Sequence, residues 1–466
     1  PLRYAFVDFS TLALRKHFCE EELHLNRRFN AELYLDVLPI VKNGENGLRV
    51  AAAGESNEIV DWAVQMRQFD PSAQADVLLA NDQLNVEEVR QFGAHLAKQH
   101  ETLPISKEAY DPVEPITANF DSLKGSSAAN PFAKKLADIA RHARKSVEES
   151  RQVLQDRHHQ GFVRECHGDL HLSNIVRMET GLRAFDCLEF NKDLRTIDIA
   201  NDIAFLFMDC LVRERADLAY AFIDGYLDTG GDYSGAELLS LFSSYRSMVR
   251  AKVAGLRLEQ APDDSSALEK LTKHIEWAHN QSRRAVGDIL IMHGYSGAGK
   301  SYWASQLVPH LGAIRIRSDV LRKTRAGIST NQRLGLGVGE AMYSTTTSES
   351  VYAAITDHAA KLVQSGERVI IDATSLRLEQ RQPFYELANR LGANCRLVAF
   401  TARQEVLLRR IQQRAASDDD PSDANADVLA WQQAHTDPLG ALEPVIEFDT
   451  ENGSLETLLD LLQHSA

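Results

Sequence analysis

The clearest chemical pattern in the sequence is a glycine-rich stretch in the second half of the chain, which reads GYSGAGKS. It fits G-x-x-x-x-G-K-[ST], the pattern of a phosphate-binding P-loop. Glycines let the backbone turn tightly, so that several N–H groups point into one concavity and can hold phosphate oxygens. The lysine would reach the β- and γ-phosphates, and the final hydroxyl would bind Mg²⁺. We therefore predict that ATP and Mg²⁺ are held by Gly294, Tyr295, Ser296, Gly297, Ala298, Gly299, Lys300 and Ser301.

The segments on either side of this stretch have the periodicities that a P-loop requires. Residues 288–293 read DILIMH, an apolar run with the length of a buried strand. After the loop, Trp303, Leu307 and Leu311 recur at helical spacing. A helix that begins at the loop adds its positive N-terminal end to the phosphate site. The sequence therefore predicts a strand, a phosphate-binding loop and a helix in succession.

A second chemical pattern lies in residues 163–202, where His167, Asp169 and Asn174 fit H-x-D-x-x-x-x-N. This spacing is typical of the catalytic loop of phosphotransferases, in which the carboxylate orients a substrate hydroxyl and the amide binds Mg²⁺. Asp186 follows a short strand, LRAF, where a second carboxylate would bind Mg²⁺. The alternative is a polar hairpin whose histidine and aspartates cap turns. We predict Asp169 as a catalytic residue, and Asn174 and Asp186 as metal ligands.

The part of the chain that follows the P-loop alternates strands and helices, as in a doubly wound parallel sheet. One apolar strand, RVIID, ends in Asp372. A carboxylate at this place matches the Walker-B position, which holds Mg²⁺ directly or through water. The next segment brings Arg377 and Arg381 close by, and we predict that Arg381 binds the substrate.

The first half of the chain resembles the aminoglycoside-phosphotransferase-like domain of bacterial tandem kinases. The resemblance rests on DFSTL, HFCEEELHLNRR, ELYLDVLPI, HGDLHLSNI, FDCLEFN and YRSMVRAKV. In that family the domain is fused to an AAA-type P-loop kinase similar to zeta toxins and polynucleotide kinases. The resemblance implies a protein-kinase-like α+β domain that lacks its first strands in residues 1–258, a linker and bridging helix in 259–285, and an α/β P-loop NTPase domain in 286–466. It also implies that Asp198 or Asp202 braces the catalytic loop.

The resemblance further implies roles for charged residues of the second domain. In related P-loop kinases, an aspartate placed like Asp319 is the proposed base for the acceptor hydroxyl, and an arginine placed like Arg322 meets substrate phosphate. A lid helix closes arginines over the transferring phosphate, here Arg410 and Arg414, which are four residues apart on one helical face. The alternatives are a helix-capping role for Asp319 and a solvated basic face for the two lid arginines.

One departure from the family pattern concerns the first domain. The family has a glycine-rich hairpin and a lysine-bearing strand before the first helix, and the lysine pairs with a helix glutamate, here Glu22. This chain begins at Pro1, where that strand should be ending. We therefore expect either a fragment of a longer protein or a first domain that is a weak or inactive kinase. The alternative for Glu22 is a solvated carboxylate at the rim of the helix.

The composition is that of a globular protein. The chain has 466 residues, enough for about two or three domains. No apolar run approaches the length of a membrane helix, and the start shows no signal-peptide pattern. The five cysteines form no C-x-x-C pair, so we expect reduced thiols and a cytoplasmic location. The formal net charge of −15 disfavours nucleic acid as a partner, although a local basic groove would permit it.

Together these features predict a tandem kinase that moves the γ-phosphoryl group of ATP, with Mg²⁺, to a hydroxyl of an acceptor. We interpret the acceptor as a small molecule because the net charge is acidic. Three alternatives stay open: a polynucleotide 5′-hydroxyl kinase, a P-loop switch ATPase without an acceptor, and a P-loop kinase regulated by a non-catalytic first domain. The sequence names neither the acceptor nor the oligomeric state.

Overall fold

The structure is a computed structural model. It describes residues 8–44, 47–51, 58–108, 110–330, 345–415 and 425–464, without the side chains of residues 345–347, 414 and 415. The strands are β1 (Tyr34–Asn43), β2 (Gly47–Val50), β3 (Ile59–Met66), β4 (Val163–Glu165), β5 (Ile175–Met178), β6 (Gly181–Ala184), β7 (Thr196–Asp198), β8 (Ile289–His293), β9 (Ala313–Arg317), β10 (Arg368–Asp372), β11 (Cys395–Thr401) and β12 (Val445–Asp449).

The helices precede, separate and follow these strands. They are α1 (Leu12–Asn30), α2 (Ala75–Ala80), α3 (Val86–Thr102), α4 (Val113–Asp121), α5 (Ala133–His159), α6 (Lys192–Arg195), α7 (Ile199–Val212), α8 (Ala216–Gly230), α9 (Tyr233–Ala236), α10 (Leu239–Gln260), α11 (Ser265–Gln281), α12 (Lys300–Leu311), α13 (Ser318–Arg325), α14 (Thr345–Gln364), α15 (Leu378–Leu391), α16 (Gln404–Ala415), α17 (Ala426–Ala434) and α18 (Leu455–His464). Several of them follow one another directly, as α7 to α11 do. None of the helices in the described ranges is long and apolar enough to cross a membrane.

The chain divides into two compact units that do not follow the order of the sequence. The first unit contains Pro1–Arg213 and Leu241–Ala278, and the second contains Glu214–Ser240 and His279–Ala466. The sequence places the whole of residues 214–258 in the first domain. In the structure, helix α8 instead packs against α12 and β9. Glu214–Ser240 therefore belongs to the second unit, while the chain from Leu241 to Ala278 belongs to the first.

The first unit contains a three-stranded antiparallel sheet with the order β2-β1-β3, against which α1 packs. Two smaller antiparallel pairs, β4 with β7 and β5 with β6, follow later in the chain. The predicted catalytic loop lies between β4 and β5 and contains a 3₁₀ turn over Leu172–Asn174. Helix α7, which follows β7, buries nearly all of its side chains. A helix that is apolar all round must be buried on every face. Helix α7 is therefore part of the core of this unit, and the predicted catalytic loop packs against it.

The second unit is built on a five-stranded parallel sheet with the order β12-β11-β8-β10-β9. The prediction of a parallel sheet in this part of the chain is confirmed. Every residue of β8 is buried because this central strand is covered on both faces. The chain places β9 and β10 on one side of β8, and β11 and β12 on the other. The carboxyl end of β8 is therefore a topological switch point, where open α/β sheets bind ligands.

Candidate active sites

In the first unit, the predicted catalytic loop brings Asp169 and Asn174 together. The amide Nδ2 of Asn174 donates to Asp169 Oδ2 at 3.1 Å, and His171 Nε2 lies 3.3 Å from the same oxygen. Burial opposes the charged form of Asp169, but the hydrogen bond and charge of His171 outweigh it, with help from His167 and Arg246. These contacts hold the pKa of Asp169 well below its usual range. The carboxylate of Asp169, which is partly exposed, therefore stays ionised.

Asp202 braces this loop, as the family resemblance implies for one of two aspartates. It is fully buried and accepts the backbone N–H groups of His167 at 3.1 Å and Gly168 at 2.8 Å. On its other side it lies 3.3 Å from His100 Nε2. Asp198 instead forms a buried ion pair with Arg157 at 2.7 Å. Of these two carboxylates, the described hydrogen bonds place Asp202 against the backbone of the loop.

The remaining predicted groups of the first unit lie in an acidic environment. Asp186 has a left-handed backbone with φ of 63°, and its N–H donates to Tyr34 Oη at 3.0 Å. Burial, followed by the negative charges of Glu189 and Asp186, raises the pKa of Glu22 to about 7. Among the described residues, no group of three His, Cys, Asp or Glu side chains could hold a metal ion. Metal binding by Asn174 and Asp186 therefore stays a prediction.

In the second unit, the P-loop joins the carboxyl end of β8 to the start of α12. Its three glycines, Gly294, Gly297 and Gly299, have φ values of 146°, 82° and 88°, which side-chain-bearing residues rarely adopt. A side chain at Gly294 would come within 2.6 Å of a backbone carbonyl of β11, and one at Gly297 equally close to a carbonyl of α16. Glycine is therefore required by both backbone conformation and space, and the loop has the close-packed form that its sequence predicts.

Lys300, Ser301 and Asp372 meet at this loop. Ser301 Oγ donates to Asp372 Oδ1 at 3.0 Å, so the loop hydroxyl and the strand-end carboxylate lie side by side. Lys300 is buried, and its Nζ donates to the backbone carbonyl of Tyr295 at 2.9 Å. The lysine thus reaches across the loop that it closes. A hydroxyl beside a carboxylate, at the end of a glycine cradle and a helix N-terminus, fits the phosphates of a nucleotide and its Mg²⁺.

A cavity of about 320 Å³ opens beside the P-loop and contains the predicted acceptor-side residues. Asp319 and Arg322 both line it, and Arg322 Nη1 lies 2.7 Å from Asp319 Oδ1. Arg410 lines it as well. Its guanidinium donates to Thr450 Oγ1 at 2.9 Å and reaches Gly297 O at 3.4 Å. The side chain of Arg414 lies outside the described residues.

Arg381 does not lie on this cavity, and its predicted contact with substrate needs correction. The side chain is fully buried, with its Nε and Nη2 atoms 2.7 and 3.0 Å from the carboxylate of Glu443. Its Nη1 atom donates to the backbone carbonyls of Ser375 and Leu376. All of these partners are internal, so Arg381 ties α15 to the segment before β12. Arg377, one helical turn earlier, lines the cavity instead.

Comparison with protein families supports the P-loop geometry. Residues 289–439 match the family model of the AAA domain. The match includes the P-loop, Asp319, Asp372 and Arg410. It leaves out α8, which the contacts of the structure place in the same unit.

Two curated relatives extend the similarity over almost the whole chain. The chain is 28% identical over 459 residues to an uncharacterized protein of Mycobacterium tuberculosis strain H37Rv, covering 94% of this chain and 86% of the relative. An uncharacterized protein of Mycobacterium bovis matches with the same identity and coverage. The similarity therefore extends over both units of this chain.

Among solved structures, the chain is similar to kinases over somewhat more than a third of its length. A gluconokinase from Sinorhizobium meliloti 1021 is 23% identical, covering 39% of this chain and 95% of that chain, with a TM-score of 0.28. The APS kinase of Mycobacterium tuberculosis in complex with AMPPNP and APS is 16% identical, covering 38% of this chain and 99% of that chain, also with a TM-score of 0.28. With identities and TM-scores this low, the likenesses do not identify a substrate for this chain.

The structure also shows supporting residues of the AAA domain that the sequence motifs do not include. Asp372 Oδ2 lies 3.4 Å from Arg315 Nη1 and 3.5 Å from Arg317 Nε, and both arginines are buried in β9. Arg315 is in turn paired with Asp224 of α8 at 2.8 and 3.2 Å. Arg317 contacts Asp228 of the same helix at 2.5 Å. Two arginines in the apolar strand AIRIR are a signal that acidic partners must lie nearby, because buried arginines are almost always paired.

Helix α17 contributes a second group of residues without a motif. Gln432 accepts from Ser296 N at 2.9 Å and donates to Ser296 Oγ at 3.0 Å, so the helix is fixed to the P-loop. The neighbouring Trp431 lines the cavity and stacks on the ring of His435, with centroids 4.5 Å apart and planes inclined by 18°. The sequence of this helix, ADVLAWQQA, matches no functional motif. Its single tryptophan does not by itself predict contact with a ligand.

Proposed function

We propose that the AAA domain is an ATP-dependent kinase that transfers the γ-phosphoryl group to a hydroxyl of a small-molecule acceptor. The observation that carries this proposal is the contact of 3.0 Å between Ser301 and Asp372 at the edge of a cavity that also contains Asp319. A phosphate cradle, a pair of oxygen ligands and a separate carboxylate are the parts that phosphoryl transfer to a hydroxyl requires.

Each residue has a physical role in this proposal. The amides of the P-loop and Lys300 bind the phosphates, and Ser301 with Asp372 would hold Mg²⁺. When bound, Mg²⁺ neutralises charge on the phosphate oxygens. Asp319 accepts the proton of the acceptor hydroxyl, while Arg322 at 2.7 Å fixes its position. Arg410, together with Arg414 by the family resemblance, would stabilise charge that develops on the transferred group.

The small-molecule acceptor is favoured over a polynucleotide by charge and by space. The formal net charge of −15 opposes a nucleic acid, whose binding depends on neutralising many phosphates. The cavity of about 320 Å³ has the size of a pocket for a small ligand. A polynucleotide 5′-hydroxyl kinase and a switch ATPase remain the alternatives that the following experiment separates.

We expect Asp319→Asn to lower phosphoryl transfer by about 10²–10⁴-fold because the amide cannot accept the acceptor proton. ATP binding should be unchanged, since Asp319 is not part of the P-loop. The measurement follows labelled γ-phosphate from ATP into pools of metabolites and oligonucleotides. Asp460→Asn, an exposed aspartate of α18, is the matched control. Transfer by Asp319→Asn at the rate of this control contradicts the assignment, and phosphate release without any phosphorylated product favours the ATPase.

We also propose that the first unit is a second phosphotransferase site, with Asp169 orienting an acceptor hydroxyl. The proposal is supported by the contact of 3.1 Å between Asp169 and Asn174 and by the fixed backbone of their loop. The competing function is a non-catalytic unit that regulates the AAA domain. The acidic surroundings of Glu22 favour this regulator if no lysine reaches that glutamate.

Asp169→Ala tests the first unit when it is combined with Lys300→Ala, which disables the AAA domain. We expect any transfer that remains in the Lys300→Ala protein to fall to background in the double variant, because Asp169 is then missing. The exposed Asp156→Ala in the same background is the control. Equal residual transfer when Asp169→Ala or Asp156→Ala is combined with Lys300→Ala assigns the first unit to regulation. An Asp169→Ala substitution that changes only transfer by the AAA domain leads to the same assignment.

A further inference from the structure

Trp431 gives the cavity beside the P-loop an aromatic lining. Its side chain is 43% exposed although the residue lies in an ordered helix. One face of the indole is covered by His435, whose Nδ1 contacts the backbone carbonyl of Trp431 at 2.8 Å. The adjacent Gln432 is bound to the P-loop. The ring is therefore held in place at a fixed relation to the phosphate cradle, as a stacking surface for a ligand must be.

The apolar character of this lining continues beyond the tryptophan. Leu376 and Val428 line the same cavity. Polar groups are also present, among them Thr374 and Gln380. A lining that combines one aromatic face with scattered hydrogen-bonding groups suits a ring compound with a flat apolar side and several hydroxyls.

The charges around the cavity separate a phosphate end from an acceptor end. Arg322 is matched by Asp319 at 2.7 Å, Arg317 by Asp228 at 2.5 Å, and Arg377 forms an ion pair with Glu379. By contrast, the partners that the structure gives for Arg410, at the P-loop, are neutral oxygens. Among the described lining residues, the positive charge that an anion would need therefore lies at the P-loop rather than at the acceptor end.

We propose that Trp431 is the stacking surface of the acceptor site and that the acceptor is an uncharged cyclic polyhydroxy compound, a sugar or cyclitol. This inference rests on the kinase function proposed above. The acceptor oxygen forms a bond to the γ-phosphorus as the bond from that phosphorus to the β–γ bridging oxygen breaks. The bridging oxygen keeps the electron pair and leaves with ADP, and the acceptor proton passes to Asp319. The products are ADP and a phosphate monoester.

Two measurements on the full chain test this proposal. Calorimetry in the presence of AMPPNP measures binding of neutral sugars and cyclitols, with their carboxylated or phosphorylated counterparts as matched probes. Transfer of labelled phosphate from ATP to the same compounds measures turnover. We expect neutral compounds to bind and to be phosphorylated, and their anionic counterparts to be much poorer on both counts.

Trp431→Ala should raise the dissociation constant and KM of the neutral acceptor by about five- to tenfold, because a stacking surface is lost. Trp431→Phe, which keeps an aromatic face, should recover most of this loss. The KM of ATP should not change in either variant. A thermal melting temperature equal to that of the unmodified protein shows that both variants are folded.

The outcomes separate the acceptor class from the kinase function itself. Binding or phosphorylation of anionic compounds alone overturns the acceptor class and leaves the kinase function standing. An unchanged acceptor KM in Trp431→Ala, or a rise in the KM of ATP of the same size, also overturns it. If a neutral compound binds in a way that depends on Trp431 but is never phosphorylated, the kinase function fails instead. If no neutral compound binds, the acceptor class is wrong.

Discussion

Lys300→Ala is expected to abolish ATP turnover by the AAA domain, with a loss of about 10²–10³-fold or more in kcat. Lys300 is the charged group of the P-loop, and its buried Nζ lies against the loop carbonyl of Tyr295. A positive charge held in this way acts in a site from which water is largely excluded, where it is worth more than in solution. The measurement is the conversion of labelled ATP to ADP under saturating Mg²⁺, with this variant and its control both made in an Asp169→Ala background so that the proposed site of the first unit does not contribute.

The control for this variant is Lys361→Ala in the same unit. Lys361 is an exposed lysine whose Nζ pairs with Glu237 at 2.9 Å, and Glu237 keeps His358 as a partner at 2.6 Å when the lysine is removed. Its removal should leave turnover within the error of the measurement. Both variants should unfold at temperatures close to that of the unmodified protein. If Lys300→Ala turns over ATP as fast as Lys361→Ala does, the P-loop is not the nucleotide site and the kinase proposal fails with it.

The parts of this site that could be predicted from the sequence are those encoded within one short segment. The order of strand, glycine loop and helix around Lys300 is local, because the glycine spacing and the flanking periodicities fix the backbone. Asp372 can be predicted as part of the site because a carboxylate at the carboxyl end of a parallel strand lies at the same sheet edge as the P-loop. In the structure its carboxylate accepts a hydrogen bond from Ser301 Oγ at 3.0 Å.

The parts that could not be predicted depend on which face of an element the rest of the chain covers. Arg377 and Arg381 are one helical turn apart, and the sequence gives no reason why the first should line the cavity and the second be buried against Glu443. The membership of Glu214–Ser240, which contains α8, in the second unit depends on long-range packing, since the chain up to Arg213 and from Leu241 to Ala278 belongs to the first unit. Hydrophobic periodicity describes the helix but not its partner.

Asp224→Ala is expected to have the second-largest effect, although the residue lies outside the matched AAA region and has no catalytic motif. The carboxylate of Asp224 holds Arg315 at 2.8 and 3.2 Å, and Arg315 reaches Asp372 at 3.4 Å. All three side chains are buried. Removing one member of a buried ion pair leaves an uncompensated charge and costs about 3–5 kcal/mol. We therefore expect the free energy of unfolding of the second unit to fall by about this amount.

A purely structural role for Asp224 would end with that loss of stability, so Mg²⁺ dependence is the second measurement. Without Asp224, the acidic partners described for the guanidinium of Arg315 are the buried Asp372 at 3.4 Å and the partly exposed Asp228 at 3.6 Å. The arginine then competes with Mg²⁺ for the carboxylate of Asp372. We expect the Mg²⁺ concentration for half-maximal turnover to rise by about tenfold, which corresponds to about 1.4 kcal/mol. Titration of Mg²⁺ at fixed ATP, below the unfolding temperature of the variant, measures this shift.

Asp217→Ala provides the matched control because Asp217 lies on the same helix and the ion pair described for it is with Arg215 at 2.8 Å. It should lose at most about 1 kcal/mol, as a partly exposed pair does, and keep its Mg²⁺ dependence. The double variant Asp224→Ala with Arg315→Met removes both buried charges and should regain most of the stability. An Asp224→Ala protein that matches Asp217→Ala in both measurements would show that α8 packs against the sheet without positioning Asp372. An altered Mg²⁺ dependence would instead show that α8 positions the Mg²⁺-binding carboxylate of the P-loop site. A fragment limited to residues 289–439 would then lack a helix that the site needs.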